Sequence, residues 1–204
     1  MKTRELRRRS GGFSLIELLI VVVIILVVAA IATPNIMQAM QNFRLRSSAT
    51  ALAQVTQRTR MEALSANQVK KLGWAWTFTG STWYMSSFID SNANWMIDAN
   101  LGENVQVARM PANIWLGWGP DTSTMQLDFV AQPLWWQVAF NEQGVPCVYN
   151  WGGGACQTTW GGQPVGFVMY MYQHRDWNPT GYAAVTVSPA GRVRVWTWSG
   201  TRWQ

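Results

Sequence analysis

Histidine is nearly missing from this chain: His174 is the one copy among 204 residues. Cysteine is scarce as well, with Cys147 and Cys156 the only two. Three such side chains spread over the sequence do not make a zinc site, which takes three or four nitrogen, sulfur or carboxylate ligands. No resident metal is expected. Charge is thin too, at 13% of residues against the roughly 25% of an ordinary soluble domain. No serine sits in a recognisable nucleophile setting, and no glycine-rich phosphate loop follows a strand. His174, between Gln173 and Arg175, reads as a loop residue. These absences point away from an enzyme, with no catalytic residue and no cofactor to assign.

What charge there is lies unevenly. The net charge is +6, but +4 of it falls within the first twelve residues, MKTRELRRRSGG, and the other 192 residues carry +2. The basic balance therefore describes a leader, and any basic partner site further on must be local. Hydrophobic residues make up 49%, and all 14 tryptophans fall between Trp74 and Trp203. That is more indole than a head of this size needs for its core. Either the surplus packs the core and contacts between subunits, or some rings are exposed to sugars, bases or proteins.

From Phe13 to Ala32 the chain reads FSLIELLIVVVIILVVAAIA. Twenty helical residues span about 30 Å, the thickness of a hydrocarbon core. Positive charge before the run and little after it places the N-terminus on the cytoplasmic side. A secretory signal would be cut after its apolar stretch at a small-residue site. Here Gly11-Gly12 offers an accessible backbone before the stretch, so the helix survives a cut there. Glu17 is out of place, since a carboxylate at mid-membrane costs roughly 2.5–3.5 kcal/mol on insertion scales. The amine that a cut would expose on Phe13 lies one turn away and suits it as a partner, within the chain or between neighbours. The alternative is a carboxylate reaching back to the interface.

These residues carry a resemblance. Gly12-Phe13-Ser14-Leu15-Ile16-Glu17 resembles the type IV prepilin processing motif. The resemblance implies cleavage between Gly12 and Phe13 by a prepilin peptidase, N-methylation of Phe13, and a role for Glu17 in assembly with a neighbouring subunit. Pro34 stands at the 22nd position after that cut, where many pilins carry a helix-loosening proline. The expected boundaries are a leader over 1–12, a transmembrane helix over 13–33, an amphipathic continuation over 34–70 and a β-rich head over 71–204.

No glycine or proline interrupts 35–67. Ile36, Met40 and Phe43 share one face there, and Leu45, Ala49, Leu52 and Val55 form a second stripe that needs covering. The head is the natural cover. From Gly73 the pattern turns to short alternating runs: Trp74–Phe78, Met125–Phe129, Trp135–Phe140, Val165–Tyr172, Tyr182–Val187 and Val193–Trp198. A turn at Gly80-Ser81 follows the first. The fold class is α+β, a long N-terminal helix packed on an antiparallel sheet or sandwich.

The last hairpin is readable residue by residue. Ser188-Pro189-Ala190-Gly191 predicts a three-residue loop with a bulge, pairing Val187 with Val193 and Val185 with Val195. Ala183, Val185, Val187, Val193 and Val195 then share one face. Tyr182, Thr186, Arg192, Arg194, Trp196 and Trp198 share the other, with Arg202-Trp203 nearby. Interleaved guanidiniums and indoles suit phosphates and bases; equally, arginines can cover tryptophans on a solvated face.

Ala139–Gly144 and Val185–Arg194 resemble the head of the GspH/FimT class of minor pilins and pseudopilins. That resemblance implies a minor subunit of a type II secretion pseudopilus or a type IV pilus, with a structural role in filament initiation and protein secretion. It also implies a single-pass protein of the bacterial inner membrane, its head periplasmic or extracellular. Its partners would be other subunits, the prepilin peptidase and the membrane. Some FimT-type members take up DNA through Gly-Arg-x-Arg, which Gly191-Arg192-Val193-Arg194 matches. DNA is thus a possible partner, through Arg192, Arg194, Trp196, Trp198 and Arg202. A third option is a monotopic membrane enzyme or carbohydrate binder using the tryptophans.

Two smaller features remain. Cys147 and Cys156 bracket Gly152-Gly153-Gly154 and read as a disulfide in an oxidising compartment, the alternative being buried free thiols. Asp90-Ser91-Asn92-Ala93-Asn94-Trp95 begins like a calcium loop, with Asp98 and Glu103 near. Trp stands where such a loop needs Gly, and Leu101 where it needs Glu, so an Asx-rich turn is expected.

Overall fold

Helix formers without Gly fill the chain from Ser14 to Asn67, and one helix results. In a computed structural model, the described residues are 14–77, 82–88, 106–111, 113–117, 119–120, 122–125, 127, 129, 131–132, 138–148, 156–175 and 178–204. The leader, the Gly12–Phe13 junction, Gly80-Ser81, the Asp90–Asp98 stretch and Gly152–Gly154 lie outside them. The helix α1 runs Leu15–Ala66 and passes Pro34 without interruption. It stops where Asn67 takes a left-handed φ of 50° and the Gln68 N–H donates to the Ala63 carbonyl at 3.2 Å. That is a Schellman stop with Asn in the place of the usual Gly. Lys70 already opens the first strand, so the boundary expected at 70/71 falls inside that strand.

The chain divides into two compact units, Met1–Met40 and Gln41–Gln204. In the second, α1 contributes a stripe of Leu45, Ser48, Ala49, Leu52, Ala53, Thr56, Thr59 and Ala63, all buried. The 3–4 spacing keeps these on one face. Three buried hydroxyls on it are satisfied by the preceding turn. Ser48 Oγ donates to the Arg44 carbonyl at 2.9 Å, Thr56 Oγ1 to Leu52 at 2.8 Å and Thr59 Oγ1 to Val55 at 2.8 Å. Burial therefore leaves no orphaned donor there.

Strands follow without a further α-helix among the described residues. They are β1 (Lys70–Thr77), β2 (Thr82–Phe88), β3 (Gln106–Arg109), β4 (Ile114–Gly117), β5 (Ala131–Gln132), β6 (Val138–Phe140), β7 (Pro146–Val148), β8 (Thr159–Trp160), β9 (Gln163–Pro164), β10 (Gly166–Arg175), β11 (Asn178–Val187) and β12 (Val193–Thr197). One antiparallel sheet has the order β3-β2-β1-β6-β7, and another β12-β11-β10-β4. The short β5 adds to β10 in parallel, and β8-β9 form a separate hairpin. The fold is α+β, one long N-terminal apolar helix with antiparallel sheets. The main core joins Leu45, Leu52 and Ala63 of the helix to Phe140 and Val148 of the first sheet. Phe167, Met169, Met171, Val185 and Val187 of the second complete it. Phe140 and Phe167 meet edge-on, their ring centroids 6.2 Å apart.

Three readings of the sequence need correction. Of Met125–Phe129, the described residues Met125, Leu127 and Phe129 are not in a strand: a 3-10 turn at Thr122–Thr124 precedes them, and Met125 N donates to Thr122 O and Leu127 N to Met125 O. His174 is not in a loop but on β10, beside a bulge at Gln173/His174, with its ring edge-on to Trp115 at 4.5 Å. Trp196, read on the basic-aromatic face as a candidate contact for DNA, is only 6% exposed, whereas Val195 on the valine face is 36% exposed. β12 is the edge of its sheet, and its other face is closed by a second cluster of Met125, Val168, Tyr170, Ala184 and Trp203.

Leu52 is fully buried under the sheets, so Leu52→Ala is expected to lower the head's stability by about 2–5 kcal/mol. Met61 is 62% exposed on the same helix, and Met61→Ala should stay within about 0.5 kcal/mol. Urea unfolding of both variants checks the contrast.

Candidate functional sites

The N-terminal unit presents an apolar surface. Every large hydrophobic residue from Leu15 to Ile31 is exposed, from 45% at Val21 to 82% at Leu15. The helix is long and apolar enough to cross a membrane. Glu17 lies in its first turn, where the positive end of the helix dipole favours a carboxylate. Phe13, its expected partner, lies outside the described residues.

A second site gathers at two hairpin tips. β11 and β12 pair with Val187 opposite Val193 and Val185 opposite Val195, the register that Pro189 and Gly191 imply. Ser188 organises the turn: its N–H donates to Arg192 O at 2.9 Å, its carbonyl accepts from Gly191 N at 2.7 Å, and its hydroxyl accepts from Arg192 N at 3.1 Å. The turn between β6 and β7 repeats this plan. Asn141 exchanges backbone bonds with Val145 and Gly144, and its side-chain oxygen accepts from Gln143 N and Val145 N at 3.0 and 2.8 Å. Gly144 and Gly191 both have positive φ, 66° and 78°.

Arg60 of α1 ties the two turns together. Its Nε donates to Gly144 O at 2.9 Å and its Nη2 to Ala190 O at 3.2 Å. The φ of 78° at Gly191 favours glycine, and a Cβ there would lie 2.5 Å from Arg60 Nε and displace the guanidinium. Sequence reasoning missed Arg60. The signal was that Arg60, unlike Arg58, stands four residues after Thr56 and three before Ala63, in line with the buried stripe.

The residues of the basic-aromatic face separate. Arg192, Arg194 and Trp196 border one cavity of about 220 Å³ with Leu127, Phe129, Thr186 and Ser188. The Arg194 guanidinium lies 4.5 Å from the Trp196 ring centroid. Trp196 Nε1 donates to Thr186 Oγ1 at 2.9 Å in a buried bond. Trp198 is elsewhere, 5.3 Å from Trp203 between centroids, and lines a different cleft. Arg202 sits exposed in the Ser199–Arg202 turn. Cys147 and Cys156 are bonded, their Cα atoms 5.3 Å apart, with Cys147 fully buried. No group of three or more potential metal ligands occurs among the described residues.

With this geometry in place, the chain can be compared with known proteins. Residues 7–33 match the prokaryotic N-terminal methylation motif. The N-terminus is therefore of the prepilin type, and the match runs from Arg7 through the exposed apolar run of α1. No curated protein sequence matches the chain. Two structures of the minor pseudopilin EpsH from the type 2 secretion system of Vibrio cholerae are similar to it, each at 12% identity. They have TM-scores of 0.41 and 0.40, cover 74% and 76% of this chain, and are themselves covered to 95% and 94%.

Arg60→Ala removes two charge-assisted bonds and should destabilise the head by about 1.5–3 kcal/mol. The exposed Arg58–Glu62 pair on the same helix is a fitting control, since Arg58→Ala should cost only about 0.3–0.5 kcal/mol. Equilibrium denaturation of the two variants distinguishes the roles.

Proposed function

We propose that the chain is a minor subunit of a pilin-like filament, with a structural and not a catalytic role. The observation that carries this is the methylation motif over residues 7–33, whose part from Leu15 onward lies on a helix with an exposed apolar run. A prepilin peptidase cuts between Gly12 and Phe13 and methylates the new amine. The mature helix holds the protein in the bacterial inner membrane, its head on the far side. Glu17 pairs with the Phe13 amine of a neighbour as the helix leaves the lipid, because a lone carboxylate among apolar helices is costly and an amine offsets that cost. The filament is a type II secretion pseudopilus or a type IV pilus, in which this subunit helps initiation and so supports secretion.

Mass spectrometry of the membrane-extracted protein should find a chain beginning at N-methylated Phe13. Cleavage after Ala32, or an intact Met1, would refute the reading. Glu17→Ala should still be processed but enter sheared filaments about tenfold less or worse, as loss of one member of a buried ion pair predicts.

A second reading, DNA capture, is favoured by one observation: Arg192 and Arg194 border the same cavity, with no ion pair to either among the described residues. Trp196, closed under Arg194, would serve as support and not as a stacking platform; Trp198 and Arg202 lie further along the chain. Binding to duplex DNA should then weaken with salt. In Arg192→Ala/Arg194→Ala the log–log slope should fall by about 1.8, for two lost phosphate contacts. An unchanged slope removes the reading.

A further inference from the structure

β12 is the edge of its sheet, and its free side is only partly closed. In an antiparallel ladder, successive residues turn their N–H and C=O to opposite sides. Ser188 N donates to Arg192 O at 2.9 Å and Trp198 N to Tyr182 O at 3.0 Å. With Thr186 opposite Arg194 and Ala184 opposite Trp196, Arg194 and Trp196 therefore bond to β11. The backbone groups of Val193, Val195 and Thr197 turn outward. At Thr197 they are used: Thr197 N donates to Gln204 O at 2.8 Å, and Gln204 N to Thr197 O at 3.0 Å. Trp203 and Gln204 thus begin a further antiparallel strand beside β12. Val193 and Val195 have no such partner among the described residues. The β7 edge of the first sheet differs, since Val148 there exchanges backbone bonds with Gln157 at 2.9 Å.

An open edge is a template for another strand, and the side chains along it select which one. A strand continuing the line of Gln204 sets successive residues opposite Val195, Arg194, Val193 and Arg192. Opposite the valines it needs apolar side chains, since Val195 is exposed. Opposite the arginines, where cross-strand Cβ atoms lie about 4.5–5.5 Å apart, it needs carboxylates. Both arginines are exposed, and neither has an ion pair among the described residues. Arg194 lies over Trp196 with its charge in water, and Arg192 is free of any ring among the described residues. The cavity of about 220 Å³ that they border has room for a carboxylate side chain. A second copy of β12 fits badly. With Thr197 already held by Gln204, the antiparallel registers left set Arg194 opposite Arg194, or Arg192 opposite Arg194, and like charges directly opposed are unfavourable.

We propose that the Val193–Val195 edge of β12 is a docking site for an extended acidic segment of a partner chain, one that alternates apolar and carboxylate side chains and adds to the second sheet as an antiparallel strand. The site works through backbone groups, whereas DNA capture would use the arginine side chains alone, so the two readings are tested separately.

The test is fluorescence titration of the detergent-solubilised full chain with a short labelled peptide that alternates valine with aspartate. One control peptide has lysine for aspartate. Another keeps the aspartates but is N-methylated at the amides that would face β12. The acidic peptide should bind, and both controls should bind about tenfold more weakly or worse. Arg192→Ala should weaken the acidic peptide about threefold. Val195→Pro should weaken it about tenfold or more, by removing an outward N–H. That N–H bonds to nothing within the sheet, and edge strands accept proline at such positions, so the variant is expected to fold, and unaltered thermal unfolding verifies this. The N-methylated peptide asks the same question without altering the protein. With acidic peptide at about ten times its Kd, exchange of the Val193 and Val195 amides should slow about tenfold. No binding at millimolar acidic peptide overturns the proposal. So does equal binding of either control peptide, unchanged amide exchange, or a free chain already dimeric with both amides protected.

Discussion

The structure from Gln41 onward depends on the burial of one narrow stripe of α1 against two sheets. Leu45, Ala49, Leu52, Thr56, Thr59 and Ala63 repeat at intervals of three and four, and each is buried. The stripe has few large side chains. Alanines and threonines bring the helix backbone close to the strands, and Gly181 of β11 completes the approach where Leu45 lies over it. Close approach raises the demand on polar groups. The threonine hydroxyls meet it by turning back to their own helix carbonyls, so the stripe behaves as an apolar surface. Upstream on the same helix the problem is reversed: the Leu, Ile and Val side chains from Leu15 to Ile31 are exposed. One helix thus carries two surfaces made for two different media. The change in side-chain size along it, from Leu, Ile and Val to Ala, Ser and Thr, marks the change of medium.

Arg60 is the exception within the stripe, and it shows how the head orders its loops. A guanidinium beside a packed face needs acceptors. Here they are two backbone carbonyls, Gly144 O and Ala190 O, and not a carboxylate. Carbonyls at turn tips are unpaired by the sheet, so one cation answers two needs. The turns it joins are built alike: a leading Asn or Ser caps the loop with its side chain, and a glycine with positive φ closes it. Position along α1 thereby fixes the tips of two hairpins from different sheets.

Much of this was legible in the sequence wherever a local rule decides the outcome. The length of the apolar run, the Gly12–Glu17 motif and the β11–β12 register each rest on spacing or turn chemistry within a few residues. Pro189 and Gly191 alone selected the pairing that places Val187 opposite Val193. The failures come where a distant segment decides. Val195 alternates correctly yet is exposed, because β12 is an edge strand. Met125 and Leu127 alternate like a strand, but they serve a second core whose other members, from Val168 and Tyr170 to Trp196 and Trp203, lie some 40 to 80 residues later. Arg60 could not be matched to Gly144 and Ala190 from spacing, since the contacts span 84 and 130 residues.

The tryptophans bring these points together. Alternation along β12 left two readings, a face of arginines and indoles open to a ligand or arginines covering the indoles. Packing separates them into layers. Trp196 points into the second core and spends its N–H on Thr186, Trp203 lies against Tyr170 at 5.9 Å, and Trp198 leans on Trp203. Trp160, 45% exposed on the β8–β9 hairpin, is the contrasting case. Indole is amphipathic, and a buried ring must place its N–H. A guanidinium laid over the ring, as Arg194 is over Trp196, covers the remaining apolar face while keeping its charge in water. The basic-aromatic pattern on this strand is therefore first a way of closing a small second core at a sheet edge. Partner recognition on this face, where it occurs, falls to a cation not spent on covering a ring, such as Arg192 at the hairpin tip.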